Sequence, residues 1–158
     1  MQTVQNDYSL LKSMSIIGAP KNRFHFGRAI EYAVFSKLLL SGGEIFLPAV
    51  DDDGVDVLVK RPKDQRLVQV QIKAKGKNSK DPCMFAAITH RPRQDYWFLF
   101  YAEKYDKMWI LSSDEFLSVA SQNVKKEANH LGKYSINFGK NGDLHSEYVV
   151  ENFNRILY

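Results

Sequence analysis

The stretch GVDVLVKRPKDQRLVQVQIK, Gly54 to Lys73, decides the fold. It holds two runs rich in β-branched residues, Val55 to Lys60 and Arg66 to Lys73, separated by Pro62-Lys63-Asp64-Gln65. Such runs flanking a turn-forming tetrapeptide predict a β-hairpin. If Arg61 pairs with Arg66, Val55 faces Ile72, Val57 faces Val70 and Val59 faces Val68, so one side of the hairpin is wholly apolar. The same register sets Asp56 opposite Gln71. Because side chains alternate with a period of two, Lys73 joins them on the second side.

Working outward, apolar residues at Phe26, Ile30, Ala33, Val34 and Leu38 recur at helical spacing from Phe24 to Leu40, and Gly42-Gly43 is a stop signal. Glu44 to Leu47 reads as a short strand ending at Pro48. Tyr96 to Ala102 and Lys107 to Leu111 predict two further strands, giving a sheet of about four to five. Ser113-Asp114-Glu115 is a helix-start signature. Tyr134 to Phe138 alternates like a strand, and Val149 to Leu157 reads as a closing amphipathic helix or strand-helix pair. Lys73 to Lys80, dense in Lys, Gly, Asn and Ser, reads as a mobile basic loop.

The chain has 158 residues, 44% hydrophobic and 13% aromatic, which suits one core and one domain, residues 1–158. Cys83 is the only cysteine, which excludes an intrachain disulfide and a cysteine-rich zinc site and fits a reducing cytoplasm. No apolar run approaches the roughly 20 residues of a membrane helix, and Met1 to Ser15 lacks the order of a secretory signal. No membrane partner is expected. A net charge of +4 is compatible with a polyanionic partner without specifying one.

Asp56, the side-chain carbonyl of Gln71 and the backbone carbonyl of Ile72 offer the oxygen donors that a hard divalent cation such as Mg²⁺ takes. Such a cation activates water and neutralises charge on a phosphate undergoing hydrolysis. Lys73, which cannot ligate metal while protonated, is suited to orient the water or stabilise the phosphate. Glu31 lies beside Val34, Phe35 and Leu38, an awkward place for a carboxylate unless a cation meets it.

Gly54-Val55-Asp56, the hairpin and Val70-Gln71-Ile72-Lys73 resemble the core motif of the PD-(D/E)xK nuclease superfamily, in the variant with glutamine at the second acidic position. Type IV restriction enzymes and some homing endonucleases are similar. Gly27-Arg28-Ala29-Ile30-Glu31 followed by Leu38-Leu39 resembles the upstream helix of the same pattern. The likeness covers residues 24–75. It implies a restriction-endonuclease-like α/β core with a central mixed sheet flanked by helices. It further implies Mg²⁺ or Mn²⁺ dependence, DNA as substrate, cleavage leaving a 5′-phosphate, and Glu31 as the helix carboxylate completing the metal site. The sequence departs from the pattern in that Pro48 does not directly precede the metal-binding Asp, and Gln71 removes one negative charge.

Lys75, Lys77, Lys80, Arg91 and Arg93 are expected to track a phosphate backbone. Asp53 is a minor candidate near the metal, and Asp51 to Asp53 otherwise suit a turn, lacking EF-hand spacing. The four histidines have no metal-ligand spacing, and Trp97, Tyr101 and Trp109 suit a core. A nuclease-like fold that only binds nucleic acid and an RNA-cleaving nuclease are the rival expectations. In so short a chain, a homo-oligomer or a separate partner is expected to supply specificity.

Overall fold

The computed structural model describes residues 22–50, 53–124 and 131–158. Helix α1, Arg23–Leu40, begins at Asn22, whose side chain accepts the Phe24 and His25 N–H groups at 3.0 and 3.1 Å. It ends where Gly42, at φ +91°, donates to the Leu39 carbonyl. This is a left-handed stop that glycine adopts without strain.

The main sheet comprises β1 (Glu44–Phe46), β2 (Val57–Lys60), β3 (Leu67–Lys75), β5 (Tyr96–Ala102) and β6 (Lys107–Ser112), adjacent in that order. Only β3 and β5 run parallel, so the sheet is mixed. The link between them passes through β4 (Met84–Ile88), which joins β8 (Tyr134–Asn137) and β7 (Ser121–Gln122) in a separate three-stranded sheet. Helix α2, Ser113–Val119, opens on a capping box between Ser112 and Glu115, and the short helix α3, Asn154–Leu157, closes the chain. Among the described residues, no helix is long and apolar enough to cross a membrane.

Each face of the main sheet has its own core. On one face Val57, Val59, Val68, Val70 and Ile72 pack with Ile30, Val34, Phe35 and Leu38 of α1 and Ile156 and Leu157 of α3. On the other, Phe98, Phe100, Trp109 and Phe116 pack with Phe85 of β4, Ile136 of β8 and Phe138 just after it. Full burial of one such side chain is worth about 1.5–3 kcal/mol, so the two layers hold the main sheet from both sides.

The hairpin register agrees with expectation for Val57 with Val70 and Val59 with Val68, and Arg61 donates to the Arg66 carbonyl at 2.9 Å. It fails at the start. β2 begins at Val57, and Val55 packs toward the aromatic core instead of facing Ile72. The expected basic loop is shorter than Lys73 to Lys80 and begins at Gly76. β3 continues through Lys75, and the turn beyond it is closed by Ser79 donating to the Gly76 carbonyl. β8 agrees with the strand expected at Tyr134 to Phe138, whereas β4, β7 and their assembly with β8 into a separate sheet have no counterpart in the sequence reading.

Candidate functional site

Asp56 marks the point where the regular ladder stops. Its N–H bonds to the carbonyl of Val70, the residue that Val57 already faces, so pairing slips by one residue. The Asp56 carboxylate then takes over the ladder, its Oδ2 accepting the Ile72 N–H at 2.6 Å. Asp56 is therefore not the regular cross-strand partner of Gln71, as the sequence register has it. It caps the edge of β3 where β2 has not yet begun. The N–H and C=O of one strand residue point the same way, so the Ile72 carbonyl faces the side on which Asp56 lies.

Gln71 projects from the sheet face opposite α1 and is only 6% exposed. The turn at Gly54 covers it so closely that a Cβ on Gly54 would stand 2.3 Å from Gln71 Nε2. Gly54 also has φ +69°, so both space and backbone require glycine. Gln71 Oε1 is buried and has no hydrogen-bond partner among the described residues. An acceptor so stranded normally costs about 1–3 kcal/mol, and a cation would satisfy it. Lys73 follows on the same face and is half-buried.

Glu31 comes from the other side of the sheet. The Phe26 ring lies against Gly76, and Leu38 lies beside Val59 at Gly43, so α1 runs antiparallel along β3. At about 1.5 Å per helical residue, Glu31 is about 7.5 Å along from Phe26. At about 3.3 Å per strand residue, that level corresponds to the stretch from Ile72 to Ala74. The Glu31 carboxylate accepts from Arg28 Nη1 at 2.6 Å, and its side chain is 16% exposed. β2 leaves the edge of β3 unpaired from Ile72 onward, at about the level that this spacing gives Glu31.

Among the described residues no three His, Cys, Asp or Glu side chains cluster as a metal site. The oxygen donors available are two carboxylates, Asp56 and Glu31, with the neutral oxygens of Gln71 and Ile72. That mixture fits Mg²⁺, which uses one or two carboxylates and completes its shell with neutral oxygens, water and phosphate. It does not fit a soft metal.

The five basic candidates separate. Lys77, Lys80 and Arg91 have exposed side chains. Lys75 donates to the Asp81 carbonyl at 2.9 Å and stands over the Phe85 ring. Arg93 is largely enclosed: it donates to the Asp53 carbonyl at 2.9 Å and to Gln69 Oε1 at 3.4 Å, and it lies 4.7 Å from the Tyr96 ring centroid. These internal bonds tie Arg93 to the turn and to β3, where the sequence reading expected it to track a phosphate backbone. Asp53 pairs with Arg91 and Arg93, while Asp51, Asp52 and His130 lie outside the described residues.

Sequence reasoning missed Tyr96, whose hydroxyl donates to the Gly54 carbonyl at 2.6 Å. Burial, followed by nearby carboxylates, pushes that hydroxyl above its ordinary pKa, so it stays a donor. It also missed the pairing of His90 Nε2 with Ser113 Oγ at 2.8 Å. Burial and then Arg93 lower the His90 pKa to about 4. Cys83 is buried, and desolvation raises its thiol pKa, which does not suit a nucleophile.

No family model matches the chain, and no curated protein matches it. A solved structure that matches is that of a bacterial homing endonuclease, I-Ssp6803I, at 19% identity and a TM-score of 0.44, over 68% of this chain and 85% of that one. A likeness at that distance carries no residue role across to this chain.

Proposed function

We propose that the chain is a metal-dependent DNA phosphodiesterase with a restriction-endonuclease-like core. Asp56, Glu31, Gln71 Oε1 and the Ile72 carbonyl would hold Mg²⁺ or Mn²⁺, and Lys73 would serve the reacting phosphate. The observation that carries the reading is the pairing of a stranded, buried Gln71 Oε1 with an Asp56 carboxylate fixed at the adjoining edge of β3. When bound, the cation would supply charge neutralisation at phosphate and a more acidic water. Asp56 is oriented by its bond from the Ile72 N–H. Among the described residues the Lys73 ammonium has no hydrogen bond or ion pair, so it is uncommitted to a structural partner. Lys77, Lys80 and Arg91 are exposed and would contact the backbone of the nucleic acid.

Wild type and Lys73→Ala, both shown to be folded, are incubated with plasmid DNA in Mg²⁺, Mn²⁺ or EDTA, with nicking and linearisation measured. Metal-dependent cutting by wild type alone is the expected result. No cutting by wild type across duplex, single-stranded, branched and modified DNA would sink the reading. RNA is run beside these to test the RNA-cleaving alternative.

The Arg28–Glu31 ion pair favours one second reading, a fold that binds nucleic acid without cutting it, because that pair engages one of the two carboxylates. Binding of DNA without cleavage in any metal would select it.

A further inference from the structure

We infer that Arg93 is a positioning residue that, with Tyr96, holds the Asp53–Gly54 turn and thereby fixes the side-chain amide of Gln71. The two act on consecutive carbonyls: Arg93 Nη2 donates to that of Asp53 at 2.9 Å, and the Tyr96 hydroxyl to that of Gly54 at 2.6 Å. The braced turn needs such support. Asp53 and Gly54 both have positive φ, +57° and +69°, and a non-glycine residue rarely holds that conformation unaided. The turn's placement decides that of Gln71, since Gly54 leaves the amide no room for even a Cβ between them.

Arg93 also reaches the strand itself. Its Nη1 donates to Gln69 Oε1 at 3.4 Å, two residues before Gln71 and on the same face of β3. One planar guanidinium thus spans the turn that covers Gln71 and the strand that carries it, a geometry that a lysine cannot copy. Arg93 is in turn anchored from behind. Its N–H donates to Ser113 Oγ at 3.1 Å, and Ser113 is 2% exposed. The alternative is an ordinary surface ion pair with Asp53. That pair is the weaker contact, at 3.8 Å to a carboxylate side chain that is 59% exposed, and such pairs contribute little.

The inference rests on the proposed metal site only for its effect on metal affinity. Groups that orient a ligand typically change metal affinity by roughly 10–100-fold when removed. The test uses the full chain with ¹⁵N labelling. The Gln71 side-chain amide resonances are assigned by their loss in Gln71→Ala, then followed in wild type, Arg93→Ala, Arg93→Lys and Tyr96→Phe, with and without Mg²⁺.

The expected result is a shifted Gln71 amide in both Arg93 variants and a smaller shift in Tyr96→Phe, with Mg²⁺ affinity reduced in the same order. Unmoved Gln71 resonances in folded Arg93→Ala and Tyr96→Phe would overturn the inference. Should Arg93→Ala fail to fold, Tyr96→Phe, which removes one hydroxyl and keeps the ring, decides the matter. A shifted Gln71 amide together with no Mg²⁺ binding by wild type supports the brace and removes the metal site.

Discussion

The Asp56 carboxylate stands in for a missing strand partner by accepting the Ile72 N–H at 2.6 Å. This gives the residue a structural task and a proposed chemical one, which two substitutions separate. Asp56→Asn keeps an oxygen for the Ile72 N–H but loses the charge. Asp56→Ala strands that donor, at about 1–3 kcal/mol. In urea unfolding, Asp56→Asn is expected to stay within about 1 kcal/mol of wild type and Asp56→Ala to fall by about 2 kcal/mol. Both are expected to lose Mg²⁺-dependent cleavage. Full cleavage by Asp56→Asn would show that the charge is not needed.

Lys73 offers the opposite combination. A half-buried ammonium without a structural partner contributes little to folding, so Lys73→Ala is expected to change stability by about 0.5 kcal/mol at most. If Lys73 serves the phosphate, kcat falls by roughly 10²–10³-fold while Mg²⁺ affinity holds. Single-turnover cleavage beside Mg²⁺ titration separates the two. A loss confined to metal affinity would remove Lys73 from the chemistry.

Gly54 is where space and backbone combine. Gly54→Ala sets a Cβ against Gln71 Nε2 at a backbone angle of +69°. Overpacking and the left-handed conformation together are expected to cost about 2 kcal/mol or more. Mg²⁺ affinity is expected to fall as well, read by the same titration. Unchanged affinity in a folded Gly54→Ala would show that the Gln71 amide is not confined by the turn.

The hairpin was legible because its valines alternate and Arg61 with Arg66 sets a register that the apolar face enforces. The slip at Asp56 was not, because it depends on the turn at Asp53 and Gly54, which Arg93 and Tyr96 hold from about 40 residues away. Local pattern carries no record of such a contact. Alternation placed Gln71 and Lys73 on one face and the motif they share with Asp56 singled them out, whereas the covering of Gln71 is tertiary. β4 was hidden for another reason: its pairing with β8 shifts between Phe85 and Ile88, and Ala87 has φ +60°, so MFAAI never shows a strict period of two. The enclosure of Arg93 was equally invisible, since a basic residue after a strand reads the same whether it faces solvent or a carbonyl.

His90 makes stability depend on pH. Burial, then Arg93, lowers its pKa from the ordinary 6.5 to about 4. The unfolded chain therefore takes up this proton before the folded one does. The contribution is fully present above pH 6.5, declines as pH falls and is gone below about 4. At about 1.4 kcal/mol per pH unit, discounted for the screening of a partly exposed ring, the loss is on the order of 1–2 kcal/mol. Urea unfolding of wild type and His90→Gln between pH 7 and pH 4 is expected to show a shallower decline in the variant. Parallel curves would mean that His90 does not titrate with unfolding.

Gln71→Glu places a carboxylate where the amide oxygen is now stranded. Without metal, that charge is buried at a position only 6% exposed, and the variant is expected to be less stable than wild type by several kcal/mol. With metal the gap narrows. A ligand that binds only the folded state stabilises it by RT ln(1 + [L]/Kd), about 2.7 kcal/mol at a hundred times Kd. The extra charge should lower Kd, so the Tm of Gln71→Glu is expected to rise further on adding Mg²⁺ than that of wild type. Buried charge alone predicts a low Tm that Mg²⁺ leaves untouched, because a carboxylate far from a cation gains nothing from it. Thermal unfolding of both proteins in EDTA and across a Mg²⁺ series therefore asks whether position 71 belongs to a metal site, without needing a substrate. An equal Mg²⁺ response in the two proteins would take Gln71 out of the proposed ligand set and leave its stranded oxygen unexplained.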